Sequence, residues 1–395
     1  MKLYAQIGHG LGDKLAIGLG EGIIDGGIFS PKDLQVSTMT IRIKDIRAAF
    51  PKAQILLDPQ FYASPFINNG NANMGCLPDW PYFSFYRSSD LERVKNIQKV
   101  LSDCFDCLCA FNTTSIIAPN IMISKSLDSR ESVIAKNFLR EASEVYSLKK
   151  DKRPLYASLI INREALQDRR EFEEFLNDIT RIENPPEGVY LIIAGRSPDA
   201  RSDYFHTDVI CNWLMLNLSF SINGIKVING YSDLMSPFLG AVGGFAGATG
   251  WWSNLRMFSM ERFCPSRIGG GRLPIIRYLS KILLNRITFS EKDAISYIFP
   301  KILNGLLHDG DYVPEPDRSM EVLQSWEALR ELNHSMASED IGKAIKKCRH
   351  SIEFAKQAYI DLAASGIALE GKSRGDHLEA IEEGLEQFVK RAELD

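Results

Sequence analysis

The sequence predicts a (β/α)8, TIM-type barrel with a C-terminal helical extension. Three observations carry this expectation. Eight short apolar runs recur between Met1 and about Gly250, and segments of helical length separate most of them. Most of the runs also lack apolar/polar alternation, as expected of parallel strands covered on both faces. In such a ring the loops at the C-terminal ends of the strands carry the chemistry.

The runs are Leu3–Ile7, Gly27–Ser30, Ile55–Asp58, Ser115–Ile123, Leu155–Ile161, Val189–Ala194, Ile225–Asn229 and Phe245–Thr249. The helices between them are predicted at Asp13–Leu19, Thr38–Phe50, Asp90–Leu108, Ser129–Leu148, Arg169–Ile182, His206–Phe220 and Leu234–Val242. Ser129 is a natural N-cap with Glu131 in the first turn, and Asn184-Pro185-Pro186 stops the helix before it. Pro59–Ser89 is far longer than an ordinary strand-to-helix loop. It reads as a lid with a mobile Asn/Gly tract, or as a plug in which Trp80, Tyr82, Phe83, Phe85 and Tyr86 fill the barrel mouth.

The chain has 395 residues, more than the roughly 250 of a plain barrel, so a second unit is expected. Ile341, Ile345, Cys348, Ile352, Ala355, Tyr359 and Leu362 form a helical seam, and Leu378, Ile381, Leu385 and Phe388 repeat it. The barrel with its insertion at 59–89 is therefore assigned to residues 1–306. Two or three helices are assigned to 317–395, docked on the barrel, on a protein partner or on a second copy. Gly310, Pro314 and Pro316 break the linker between the two units.

No apolar stretch approaches the ~18 residues needed to span a membrane, and no signal core follows Met1. A cytoplasmic protein is expected, its seven cysteines reduced. The net charge of −4 hides a basic block: between Trp251 and Ser290 stand six arginines and Lys281 against Glu261 alone. From Asp317 onward, 16 acidic residues face 11 basic ones. The block marks a phosphate or nucleic-acid surface, unless its arginines pair with carboxylates of the barrel or tail.

Several chemistries lack their residues. Convincing metal ligands at the strand ends are limited to His9, Asp58 and Asp233, and the cluster Cys104–Cys109 has no second cluster to complete a zinc site. There is no Gly-x-Ser-x-Gly elbow and no P-loop. Gly18–Gly22 precedes a strand instead of joining strand to helix, so no dinucleotide or other cofactor is expected.

What remains is a polar mouth. Asp58 closes an apolar strand, where burial would raise its pKa into a range useful for acid/base work, with Lys32 able to pair with it and His9 nearby as a third catalytic candidate. Substrate contacts are expected from Gln60, Asn120, Arg163, Arg196, Asn229, Gly230, Tyr231, Gly250, Trp251 and Asn254. Small residues at the ends of strands seven and eight suit a phosphate held by backbone N–H groups, or simply a crowded rim. Arg256, Arg262 and Arg272, the last following three glycines, would supply its counter-charge. Trp251-Trp252 could stack on a base.

Ile55-Leu56-Leu57-Asp58-Pro59-Gln60-Phe61 resembles the strand of the tRNA-guanine transglycosylase-like barrels that ends in Asp and enters a substrate-binding loop. Val227–Leu234 is similar to that family's penultimate, glycine-bearing strand. Two features depart from the pattern. Phe245–Asn254 holds no counterpart of the last-strand nucleophilic Asp, and Cys104–Cys109 has neither the spacing nor the place of the family's zinc motif. The resemblance implies nucleoside or nucleic-acid ligands. The expected function is thus a barrel enzyme acting on a phosphate-bearing, nucleotide or nucleic-acid substrate by glycosyl or base-directed chemistry. The alternative is a non-catalytic barrel subunit of a bacterial-type protein or nucleic-acid assembly, using the tail and the basic face as docking surfaces.

Overall fold

The computed structural model describes residues 1–197, 205–265, 274–303, 305–310 and 316–394. Eight parallel strands form the ring: β1 (Lys2–Gln6), β2 (Gly26–Phe29), β3 (Gln54–Leu57), β4 (Ile116–Ala118), β5 (Leu155–Asn162), β6 (Gly188–Gly195), β7 (Lys226–Gly230) and β8 (Ala246–Thr249). Hydrogen-bonded neighbours run β3-β2-β1-β8-β7-β6-β5-β4. The remaining seam is bridged by Thr114, whose N–H donates to Ile55 O (2.8 Å) while its hydroxyl accepts from Ile55 N (2.9 Å). The barrel is therefore nearly closed.

Helices α1 (Lys14–Gly20), α2 (Val36–Ala49), α3 (Val94–Leu108), α4 (Arg130–Ser147), α5 (Arg169–Thr180), α6 (Thr207–Ile222) and α7 (Ser236–Ala241) lie between the strands. The Ser129 hydroxyl caps α4 by accepting from Ser132 N (3.2 Å). Strand four is shorter than its apolar run. The chain leaves the ladder at Pro119-Asn120 and resumes as a two-residue strand, Met122–Ile123, against β5.

Sixty-eight residues, 250–317, separate β8 from the next long helix. They include a hairpin, β9 (Arg277–Ser280) and β10 (Asn285–Thr288), followed by α8 (Phe289–Ile298). No strand is expected here from the pattern of apolar residues. The hairpin nonetheless ends in a capping box, Thr288 with Glu291, a local signal of a helix start.

The tail consists of α9 (Arg318–Met336), α10 (Ile341–Ala364) and α11 (His377–Arg391). Gly366, at φ +75°, terminates α10 where a side chain would be strained. All three helices pack on the barrel. Trp326 of α9 is buried against Gly18 and Ile24, and Arg330 reaches Asp25 beside β1. Gly384 lets α11 lie directly on α6, against Ile210. Apolar side chains of all three join those of the barrel in one continuous core.

Helix α9 therefore covers the ring where a barrel's eighth helix belongs, next to α1 and over β1. Among the described residues no helix is long and apolar enough to cross a membrane.

Candidate functional site

The floor of the mouth is built around Asp58. Its side chain is fully buried, accepting from Tyr62 Oη (2.8 Å) and from Gln60 N (3.0 Å). Burial raises its pKa to about 6, against the lowering pull of these hydrogen bonds and of Arg262. Gln60 adopts φ +53°, a left-handed turn that folds residues 61–66 back so that Tyr62 meets the carboxylate. The Gln60 Oε1 in turn accepts from Ser30 Oγ (3.1 Å) and Lys32 N (3.0 Å), tying the ends of β2 and β3 together.

Lys32 does not pair with Asp58. Its Nζ instead donates to Asn73 Oδ1 (3.1 Å). The long loop, extended over a neighbouring strand end, intercepts the amine.

The chain after β8 returns across the mouth. Phe258-Ser259 adds a short parallel strand to the end of β6, and the turn Met260–Phe263 delivers Arg262 into the interior. Arg262 donates to Tyr231 Oη (2.8 Å) and to Asp33 Oδ2 (3.3 Å). Tyr62 and Tyr231 both pack against Phe258, at 5.2 and 5.0 Å between ring centroids. Asp58 is thereby sealed from solvent.

The loop at 59–89 belongs to this seal. Trp80, Tyr82 and Phe83 are buried, Trp80 donates to Pro31 O (3.1 Å), and Tyr82 donates to Pro59 O (2.8 Å). Of the two readings offered by the aromatic run, these contacts are those of a packed plug.

Over the ends of β7 and β8 lies a cavity of about 790 Å3, between the barrel, the hairpin and the start of α9. Arg256, Arg277, Arg286, Arg318 and Lys372 line it, with Asp233 and Glu370 as the acidic lining residues. Asp233 takes Arg286 at both oxygens (2.5 and 2.9 Å) and accepts from Thr249 Oγ1 (2.6 Å). Burial works against its charge, but Arg286, with Arg256 and the Thr249 hydroxyl, outweighs burial and holds the carboxyl below its usual range.

Behind the wall, buried Glu321 accepts from Arg256 (3.0 Å) and also from Arg318, while Arg277 pairs with Glu370. Burial lowers the pKa of Arg256, and the nearby charge of Arg286 adds to the effect. Tyr231 and Asp233 both hold positive φ, 55° and 38°, so the backbone at the end of β7 is bent into a costly shape at the cavity wall.

The expected contact residues divide between places. Tyr231, Trp251 and Arg256 line the arginine cavity. His9, Lys32, Asn254 and Arg262 line an adjoining hollow of about 730 Å3, which shares Trp252 and Ser253 with it. Others are engaged in the frame. Asn120 Nδ2 donates to Ala135 O and Ser158 O (3.2 and 2.7 Å). Asn229 faces outward to α6, accepting from Trp213 Nε1 (2.8 Å) and Asn217 Nδ2 (3.1 Å).

Gly230 leaves room for the Tyr190 ring, and Gly250 for Gln6 O and Leu255; a Cβ on either would come within 3 Å of these atoms. Trp251 is buried, donating to His9 O (2.8 Å), whereas half-buried Trp252 has the Arg318 guanidinium 5.2 Å from its ring. Arg163 sits on the short turn after β5, and Arg196 is exposed just past β6, its carbonyl accepting from Ser259 Oγ (2.7 Å). Arg272, Arg267 and Gly269–Gly271 lie outside the described residues.

Sequence reasoning missed Arg277, Arg286, Arg318 and Lys372 as lining residues. The basic block signalled the first two. Nothing local signals the others, which reach the cavity only because the tail docks there.

No family model matches this chain, and no curated protein sequence does. Among solved structures, the HpcH/HpaI aldolase from Desulfitobacterium hafniense DCB-2 is similar over 63% of this chain and 85% of its own, with 9% identity and a TM-score of 0.33.

Proposed function

We propose that this chain is a barrel enzyme that holds a phosphate-bearing small molecule in the arginine cavity over β7 and β8. The carrying observation is the excess of guanidinium donors converging there. Each guanidinium offers five N–H groups; the paired carboxylates cannot take them all, and neutral backbone carbonyls such as Gly250 O for Arg256 and Pro274 O for Arg318 take others without balancing the charge. Glu321 is divided between Arg256 and Arg318, and the buried Arg286 Nε has no partner. Arg256 and Arg286 also repel one another in a poorly solvated wall. A phosphate answers both conditions, since its oxygens accept charge-assisted bonds and its charge screens the two cations from each other.

Arg262 is buried and the Arg256 side chain is only 13% exposed, which favours a ligand small enough to enter a cavity over a nucleic-acid strand lying on a surface. Extending the transglycosylase-like resemblance, a nucleotide is a natural probe, with Trp252 at the cavity edge for its base. A second reading, a non-catalytic barrel in a larger assembly, is favoured by one observation, the sealing of Asp58.

Calorimetric titration with adenosine 5′-monophosphate, adenosine and a 20-nucleotide RNA tests the proposal. The nucleotide is expected to bind and adenosine to bind at least tenfold more weakly, with the Arg318→Ala/Lys372→Ala double variant erasing the difference. In that variant Glu321 keeps Arg256 as its partner. Equal binding of nucleotide and nucleoside, or tight salt-dependent binding of the RNA alone, would overturn the small-ligand reading.

A further inference from the structure

We infer that Lys32 is a carbonyl-capturing amine, forming an imine with the aldehyde or ketone carbon of a sugar-sized phosphorylated substrate. Its phosphate end rests on the reading of the arginine cavity just given; the lysine end does not.

The seat of this lysine is built rather than incidental. Its backbone is held on both sides, with Lys32 N donating to Gln60 Oε1 (3.0 Å) and Lys32 O accepting from Cys76 N (2.9 Å). The side chain runs inward, and the residue as a whole is 9% exposed. Its amine donates to the amide oxygen of Asn73, and among the described residues no carboxylate stands within ion-pair distance of it. Buried lysines are ordinarily paired; this one has a single neutral acceptor.

The hollow in front of it also has unmet polar demand. Arg262 is 92% buried, yet its Nε has no hydrogen-bond partner, and neither has the buried Asn254 Oδ1. Both residues line the same 730 Å3 as Lys32. One missing acceptor and one missing donor suit a ligand with hydroxyl groups beside its carbonyl. Trp252 and Ser253 line this hollow and the arginine cavity alike, so a single extended molecule can place a phosphate in one and a carbonyl in the other.

The chemistry balances without a co-reactant. The neutral amine adds to the carbonyl carbon, the C=O π pair moves to oxygen, and a proton passes from nitrogen to that oxygen, giving a carbinolamine. The nitrogen lone pair then expels the hydroxyl, which leaves as water after taking a proton, and loss of the last N–H proton gives the neutral imine. Glu261 and His9 line the same hollow and would carry these protons. The amine must be unprotonated to attack. Burial lowers its pKa, Asp33 opposes this, and Arg262 reinforces it. The neighbouring thiol, Cys76, is pushed up by burial and stays protonated, so it does not compete.

The test is reductive trapping of the full-length protein. Ribose 5-phosphate or ribose is added with cyanoborohydride, and the modified residue is located by peptide mass mapping. One adduct is expected, on Lys32, at a sugar-phosphate concentration at least tenfold below that needed for ribose, and Lys32→Arg should remove it.

Labelling spread over exposed lysines with no preference for Lys32 overturns the inference. Equal labelling of Lys32 by both sugars upholds the lysine and sinks the phosphate reading, so the two failures are distinct. Loss of the tenfold preference in Arg318→Ala/Lys372→Ala, with Lys32 still labelled, would support both ends.

Discussion

Asp58 shows how one residue can be read correctly for its place and incompletely for its surroundings. A carboxyl at the end of an apolar strand was expected to be buried with a raised pKa, and it is. What the strand pattern did not contain was Tyr62, brought back by the left-handed turn at Gln60, or Arg262, which arrives from two hundred residues away. The consequence is measurable. The folded-state pKa, about 6, lies above the ordinary value of 3.8. The fold therefore binds this proton more tightly than the unfolded chain does. The stability it contributes is complete below about pH 4 and is lost as pH rises through 6, on the order of 3 kcal/mol. Asp58→Asn keeps the shape and removes the charge. Its stability relative to the parent should rise between pH 4 and 7 in urea unfolding and level off above; a difference independent of pH would contradict this electrostatic assignment.

Asp233 and Arg286 give the opposite case at the same scale. Each is nearly buried, and each oxygen of the carboxylate meets the guanidinium. Arg286→Ala should cost about 3–5 kcal/mol, because it strands a buried charge. Arg286→Ala combined with Asp233→Asn should recover much of that loss. Equal losses in the single and double variants would show that the pair is not coupled.

Among the elements, the eight strands were legible because parallel strands covered on both faces leave unbroken apolar runs, and their observed bounds differ little from those runs except at β4. The tail helices were legible from their seams. Their destination was not, since a seam shows that a face is covered without showing by what. Helix α9 takes the eighth position of the ring, with Trp326 packed where α1 ends and β2 begins. Truncation after residue 316 should therefore abolish cooperative unfolding, and Trp326→Ala should cost about 3–5 kcal/mol. A truncated chain that melts cooperatively at the parent temperature would show the tail to be an accessory. The hairpin at 277–288 went unread because its strands are short and charged. Asn120 and Asn229 illustrate a related limit: position at a strand end does not say which way a side chain turns, and these turn into the frame.

For the whole molecule, the sequence already held a basic block and an acidic tail, and two readings of them. The pairing with carboxylates is present in the structure, and the phosphate surface is the proposal made above. Arg256 and Arg318 share Glu321, and Arg277 meets Glu370, so the tail neutralises much of the block. More guanidinium donors converge than these carboxylates can engage, and they converge on a cavity at the strand ends. Pairings across sixty or ninety residues are set by docking, which no local pattern records.

That convergence is tested most directly by crystals grown with a low concentration of tungstate, a tetrahedral oxyanion whose anomalous scattering marks its position. A peak is expected in the cavity, within hydrogen-bond distance of Arg256 or Arg286. Peaks confined to surface lysines, with that cavity holding water alone, would contradict the proposal that it is built for phosphate.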